Sequence, residues 1–366
     1  VSAFAPGAGA TQPAQGAIRA AVLGAGRIAQ QHLACLAGLA GVQVVAVCDL
    51  SRALAESAAE RYRAASWFTD HRRMLSEAQP DVVHITTPAA THFALARDCL
   101  EANTHVLVEK PVTATFEQLV ALTAFAQARN LRLMEDYNYL FNEPVSALLG
   151  QIAQGTLGDV IHAEVELCLN VLDKNYHAMD PNVRSPTLDV EGGIIADFLP
   201  HMASLAYAVC GPARASRAVW RKRAPDSPLP YDEFRALLRC ERAEATLVFS
   251  AHSQPDMFRV TVHGTRGRAT ADIFENRLLS ALVRPGPKPL VPFWNALDES
   301  RALRRSAWRL LWRKLAGGPG GYEGLWLLVR RFYGCLAQGE PAPISVRDML
   351  EVNRMIAELK KEENRV

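Results

Sequence analysis

The sequence predicts an α/β protein whose N-terminal half folds as a doubly wound parallel sheet. Three observations carry this expectation. Apolar runs of strand length alternate with helical patterns over roughly 120 residues, the pattern of successive βαβ units. The first run ends in a glycine turn that opens directly into a helix. The chain has 366 residues, 49% of them hydrophobic, which suffices for two domains with separate cores.

In chain order, Ile18 to Leu23 is a buried-strand run, followed by Gly24-Ala25-Gly26-Arg27-Ile28-Ala29 and a helical stripe of Ile28, His32, Cys35 and Leu36. Val42 to Cys48 is the second strand and ends at Asp49. Ala53 to Ala64 and Asp70 to Ala78 read as helices. Asp81 to Thr86 is a strand leading into Thr87-Pro88, and Ala94 to Ala102 is helical. His105 to Glu109 is a strand, Phe116 to Arg129 a helix, and Leu131 to Glu135 closes the series. Further on, Asp159 to Cys168, Ala245 to Ser250 and Phe258 to His263 alternate as strands, with a turn at Gly264-Thr265-Arg266-Gly267.

The strand–glycine turn–helix unit carries the G-x-G-x-x-A form of a dinucleotide fingerprint. Gly24 permits the turn, Gly26 lets a pyrophosphate approach the backbone, and Ala29 lets helix and strand pack closely. The free N–H groups at the start of the helix, around Arg27 and Ile28, favour an anion. Asp49 stands where an acid accepts the ribose hydroxyls and repels a 2′-phosphate, so the expected cofactor is NAD. Arg52 leaves NADP as the alternative, since it can take a phosphate or stack on adenine.

Composition narrows the rest. Forty basic against 38 acidic residues leave a net charge of +2, which gives no global attraction to nucleic acid. Cysteines at 35, 48, 99, 168, 210, 240 and 335 are odd in number and form no C-x-x-C pair. Neither a disulfide framework nor a metal site is expected, and a reduced, cytoplasmic setting fits best. Residues 1–17, rich in Ala, Gly, Pro and Gln, read as a disordered tail without the basic n-region of a secretory signal. No run reaches the roughly 18 apolar residues of a membrane span.

Two motifs point to chemistry. Glu109-Lys110-Pro111 puts a lysine at the carboxyl end of a strand, where open α/β sheets bind ligands. In Gly192 to His201, Asp197 and His201 are four residues apart and share a helical face. Taken alone, such a pair reads as a solvated or capping pair. Beside the lysine turn it reads as proton-transfer machinery, and histidine titrates near working pH.

The glycine turn, Thr86-Thr87-Pro88 followed by His92, Glu109-Lys110-Pro111 and the Gly192–His201 segment together resemble the Gfo/Idh/MocA oxidoreductases over residues 18–362. The resemblance implies a Rossmann domain at 18–140 and a C-terminal α/β domain at 141–345 with a large, mostly antiparallel open sheet. It also implies a final helix, 346–366, packed back on the Rossmann domain, and a homodimer or homotetramer formed through the open sheet. Carried over, Thr86, Thr87, Pro88, His92 and Glu109 join Gly24, Gly26, Arg27, Ile28, Asp49 and Arg52 in holding the cofactor. Lys110 stabilises the alkoxide, His201 is the general base and Asp197 orients or tunes them. The implied reaction is NAD-dependent hydride transfer at a secondary alcohol or ketone of a sugar, cyclitol or nucleotide-linked sugar. An enclosed-redox epimerase or lyase and a cofactor-sensing protein without turnover are the rivals.

The chain departs from the family pattern at Leu140, near the place of a frequent arginine, and at Met202-Ala203-Ser204, where an acid usually follows the histidine. Tyr137, Asn138 and Tyr139 are the candidate substitutes as pocket donors. Arg184, in a polar stretch before the motif, is a candidate for a substrate phosphate or carboxylate. Arg301 to Lys314 holds six basic residues and no acid, with Trp308 and Trp312 among leucines. The expected reading is a helix packed on the sheet or on a neighbouring subunit, and contact of 301–315 with an anionic membrane surface is the rival.

Overall fold

The computed structural model describes residues 16–172, 192–315 and 322–363, and the chain divides into two units. The first comprises the chain up to Asp136 together with Val329–Pro343. The second comprises Tyr137–Leu328 and Ile344 onward. Residues 1–15, most of the expected tail, lie outside the described residues.

The first unit follows the expected alternation. β1 (Ile18–Leu23), α1 (Arg27–Ala37), β2 (Val42–Cys48), α2 (Arg52–Tyr62), β3 (Ser66–Phe68), α3 (His71–Ala78), β4 (Val82–Ile85), α4 (His92–Glu101), β5 (His105–Val108), α5 (Phe116–Ala128) and β6 (Leu133–Glu135) succeed one another. The six strands are parallel in the order β3-β2-β1-β4-β5-β6. Strands buried on both faces must be apolar throughout, and Ala20, Ala21, Val22, Val82, Val83, Val106 and Leu107 are fully buried. The three-residue β3 escaped the sequence reading because Ser66-Trp67-Phe68 is too short to show a period.

Register aligns the strand ends. Leu23 pairs with Cys48 and Ile85, Ile85 with Val108, and Val108 with Glu135. The residues that immediately follow, Gly24, Asp49, Thr86, Glu109 and Asp136, therefore form one row along the carboxyl edge of the sheet.

The second unit opens with α6 (Glu143–Ala153) and β7 (Val160–Cys168), then α7 (Gly193–Cys210). β8 (Ala213–Arg221), β9 (Glu233–Cys240), β10 (Glu244–Ser250), β11 (Met257–Gly264), β12 (Gly267–Asp272) and β13 (Arg277–Leu282) complete a seven-stranded sheet. Its order is β13-β12-β11-β7-β10-β9-β8, and only β7 and β10 run parallel. The expected turn at Gly264–Gly267 joins β11 to β12. Burial alternates along the strands: Ala163, Val165, Leu167, Leu247, Phe249, Val260 and Val262 are sealed, and α7 covers the β7–β10 part of that face. α7 is the one helix among the described residues long and apolar enough to cross a membrane, and 78% of it is buried as a core helix.

α8 (Val291–Leu315) packs on β13, and α9 (Glu323–Gln338) follows. The last helix is α10 (Val346–Lys360). It packs on α7 and β8 of its own unit, with Trp220 donating to the Leu359 carbonyl at 3.1 Å and Tyr207 to Asp348 at 2.8 Å. The late segment that belongs to the first unit is Val329–Pro343, where Phe332 and Tyr333 are buried.

Candidate active site

In the first unit the glycine turn is fixed from three sides. Gly24 has φ +91°, and a β-carbon there would lie 2.9 Å from the Thr86 carbonyl oxygen, so only glycine fits without strain. The Thr86 hydroxyl donates to the Leu23 and Gly24 carbonyls at 2.9 and 3.1 Å. Ala25 N–H donates to Asp49 Oδ2 at 2.7 Å, and Ser51 N–H to Oδ1 at 2.8 Å. A carboxylate has about four acceptor positions, so Asp49 keeps capacity for ribose hydroxyls. The same two bonds hold Thr86 against the turn.

Gly26 differs from Gly24. It is the exposed N-cap of α1 with φ −69°, and a β-carbon there would meet nothing within 4 Å. Open space beside the first N–H groups of an 11-residue helix is what a pyrophosphate requires. Arg27 and Ile28 open that helix, and the buried Ala29 gives the close approach to the sheet. Arg52, at the start of α2, lies 5.1 Å above the Trp67 ring and pairs with Glu56 at 3.5 Å. These features fit a bound dinucleotide, with Gly24–Ala29 and Asp49 as its seat.

Two further loops complete the edge. Thr87 and Thr91 share a hydroxyl contact of 2.7 Å, with Pro88 between them. The buried His92 ring faces the Pro111 carbonyl through Nδ1 and the Thr87 carbonyl through Nε2, each at 2.8 Å. His92 thereby staples the Thr87-Pro88 loop to the lysine turn. The Lys110–Pro111 peptide is cis.

Glu109 is buried behind Lys110. Its Oε2 accepts from the Lys110 backbone N–H at 3.2 Å, and its Oε1 lies 3.1 Å from His32 Nε2. Burial alone would raise this carboxyl. The His32 hydrogen bond and charge, the Lys110 charge and a hydrogen bond with Asp136 outweigh burial and hold it at about 2. His32 Nδ1 in turn lies 2.8 Å from His84 Nδ1, and His84 Nε2 lies 3.0 Å from the Tyr333 hydroxyl. Burial, assisted by His32, pushes His84 well below the ordinary histidine value, and burial pushes Tyr333 well above that of a phenol. A neutral imidazole has one donor and one acceptor, which matches the two contacts of His84. Glu109, His32, His84 and Tyr333 thus form one buried polar chain ending at the lysine turn.

This chain was missed by the sequence reading, which took His32 as part of an apolar stripe. A signal exists: His84 interrupts the Val-Val-His-Ile run of β4, and a polar residue in a two-sided buried strand needs a partner. Ligand atoms of His32, Glu109 and Asp136 lie within 4.8 Å of one another, but the hydrogen bonds among them account for that proximity. His162, Glu164 and His263 form a second such group on the open face of the other sheet, where the two imidazoles stack at 4.2 Å.

The second unit holds Asp197 and His201 on α7, one turn apart. Pro200 lies inside this helix, yet the helix runs unbroken from Gly193 to Cys210. A proline inside a helix removes one hydrogen bond and costs about 3 kcal/mol, and burial along nearly the whole of α7 offsets it. The start of α7 is set by Gly192 and Gly193 at φ +81° and +59°, where a β-carbon on Gly193 would strike the Pro230 ring. His201 is buried, with Tyr139 edge-on at 4.6 Å and Phe198 at 6.1 Å.

The pocket candidates separate. Tyr139 stands against His201 and against Phe258 at 4.9 Å. Asn138 is half-buried at the head of the same short turn, Asn138–Phe141. Tyr137 is in the core, and its hydroxyl accepts from Asn353 Nδ2 at 3.0 Å. Arg184 lies outside the described residues. Lys110 belongs to the first unit, Asp197 and His201 to the second.

Comparison with known proteins agrees with this fold. Residues 18–137 match the profile of an oxidoreductase family with an NAD-binding Rossmann fold, and residues 146–270 match the GFO/IDH/MocA C-terminal domain. A glycosyl hydrolase family 109 protein of Akkermansia muciniphila is 31% identical over 163 residues, 42% of this chain and 34% of that protein. D-glucoside 3-dehydrogenase of Escherichia coli is 33% identical over 144 residues, 39% of this chain and 41% of the enzyme. The chain therefore spans less than half the length of either relative. The WlbA dehydrogenase of Bordetella pertussis, solved with NADH and UDP-GlcNAcA, shares the fold with a TM-score of 0.76 at 17% identity, covering 95% of this chain and 96% of that one.

Proposed function

Because the chain belongs to the Gfo/Idh/MocA oxidoreductase family, we propose that it transfers a hydride between NAD and a secondary alcohol or ketone carbon of a sugar, cyclitol or nucleotide-linked sugar. The observation that carries this reading is the lysine turn at the carboxyl end of β5, backed by the buried Glu109 carboxylate in the same edge row as Gly24 and Asp49. Bound NAD supplies the hydride acceptor or donor. Lys110 donates to the substrate oxygen and stabilises the negative charge that grows there as the C–H bond breaks. His201 takes the hydroxyl proton, and Asp197 orients or tunes Lys110 and His201. In the reducing direction Lys110 polarises the carbonyl and His201 returns the proton. The dehydrogenase names among relatives and fold neighbours support a sugar-like substrate.

A second reading is favoured by the glycosyl hydrolase relative. In that reading the same sugar is oxidised and then reduced within one cycle, so NAD is regenerated and no NADH accumulates.

The test begins with protein purified without added nucleotide, followed by NAD and NADP titration and a panel of sugars, cyclitols and nucleotide-sugars. NADH formation abolished by Lys110→Ala and His201→Ala supports the dehydrogenase. Substrate conversion without NADH supports the enclosed cycle. No nucleotide binding, or turnover that survives both substitutions, sinks both readings.

A further inference from the structure

We propose that α8 lies on the surface of an anionic phospholipid bilayer. The helix has a defined inner side. Ser306 is buried and its hydroxyl donates to the Glu275 and Asn276 carbonyls, while Asn295 exchanges hydrogen bonds with the Leu282 backbone on β13. At 100° per residue, Arg304, Trp308, Leu311 and Leu315 fall on the opposite side, in steps of four, three and four. Among the described residues nothing seals that outer side. Trp308 is 61% exposed, Trp312 65%, Leu311 48% and Leu315 69%. The helix packs on the chain's own sheet, as one of the expected readings has it, and does so through the Asn295–Ser306 side.

Chemistry selects the occupant. Exposed tryptophan and leucine interleaved with guanidinium groups suit the headgroup region, where indoles seek the water–lipid boundary and arginines take phosphates. Arg301, Arg304, Arg305, Trp308 and Arg309 wall one surface depression, the arrangement a lipid phosphate requires. Arg301 pairs with Asp298 and Arg309 with Glu143, whereas among the described residues Arg304 and Arg305 have no carboxylate partner. Residues 301–315 hold no acid at all. A second copy laid on this stripe would set arginine against arginine, so charge complementarity favours the bilayer. The stripe extends back along the helix through Trp294, 46% exposed, and Phe293, 55% exposed.

The experiment is co-sedimentation of the full chain with vesicles of pure phosphatidylcholine and of phosphatidylcholine mixed with phosphatidylglycerol, at two salt concentrations. The expected result is binding to the mixed vesicles only. A Trp308→Ala/Trp312→Ala double variant and an Arg304→Glu/Arg305→Glu double variant should each weaken it by about tenfold or more, and salt should weaken the wild type but leave little to weaken in the charge variant. These variants change exposed side chains, and circular dichroism verifies their folding. Absence of binding to the mixed vesicles, or binding that survives both double variants, overturns the proposal. So does light scattering that shows a dimer which the tryptophan variant splits while vesicles capture nothing, since the occupant is then a second copy.

Discussion

The carboxyl edge of the first sheet and the α7 segment of the second unit hold their chemical groups by different means. Along the edge, acids are fixed by backbone donors: Asp49 by Ala25 and Ser51, Glu109 by Lys110, and Glu135 by Val112 at 3.2 Å. On α7, the His201 ring is flanked by the aromatic rings of Tyr139 and Phe198. The difference teaches which tasks need which support. The acids of the edge are held by directional hydrogen bonds, whereas the rings around His201 hold it by packing. Substitutions along the edge should therefore register in stability and binding, and substitution of His201 in turnover.

The largest expected effect lies at the proposed catalytic groups. Lys110→Ala and His201→Ala should each lower turnover by roughly 10²–10⁴-fold, with NAD affinity held within about threefold. Steady-state NADH formation and fluorescence titration measure the two. A His201 variant that chiefly lost NAD would break the comparison, because α7 would then belong to the cofactor seat.

Next comes Glu109→Gln. The carboxyl is depressed to about 2, so its stabilisation is complete above the unfolded value near 4.3 and is lost as pH falls toward 2. The shift corresponds to on the order of 3 kcal/mol. The variant should unfold at lower denaturant at neutral pH and show a flatter stability profile below about pH 4.3. Equal acid slopes in the two proteins would refute the buried carboxylate.

The two glycines sharpen the contrast within the edge itself. Gly24→Ala forces a side chain into φ +91° against Thr86 and should cost about 1–3 kcal/mol, read as a lower melting temperature. Gly26→Ala meets only open space and should leave melting almost unchanged while weakening NAD binding. The smallest effect belongs to Tyr137→Phe, about 1 kcal/mol of stability through the lost Asn353 bond, with turnover unchanged. A turnover defect would mark Tyr137 as a substrate contact.

How much of this was legible follows from where the information lies in the chain. The first sheet could be read because parallel strands buried on both faces are near-continuous apolar runs ended by turn residues, as in Val82–Ile85. Strands β8, β9, β12 and β13 were not read. Each has one open face, and β8, Ala-Arg-Ala-Ser-Arg-Ala-Val-Trp-Arg, buries only Trp220. The glycine turn, Asp49 and the lysine turn were legible because each motif is local. The His32–His84–Tyr333 chain was not, because its members are 52 and 249 residues apart and only the topology joins them. The uncovered side of α8 was equally hidden. A helical wheel gives the apolar face but not what covers it.

Tyr333 gives the molecule an order of assembly. The chain emerges from the ribosome N-terminus first, and the first unit has every strand of its sheet once Glu135 is out. Its buried polar chain stays open at His84 until Tyr333 follows, almost 200 residues later. The nascent cofactor domain must wait, with Nε2 of His84 lacking its Tyr333 partner, while most of the second unit is synthesised. Release from that wait comes with the stretch Val329–Pro343, so chain termination or proteolytic loss upstream of Tyr333 would damage the N-terminal domain as surely as the C-terminal one.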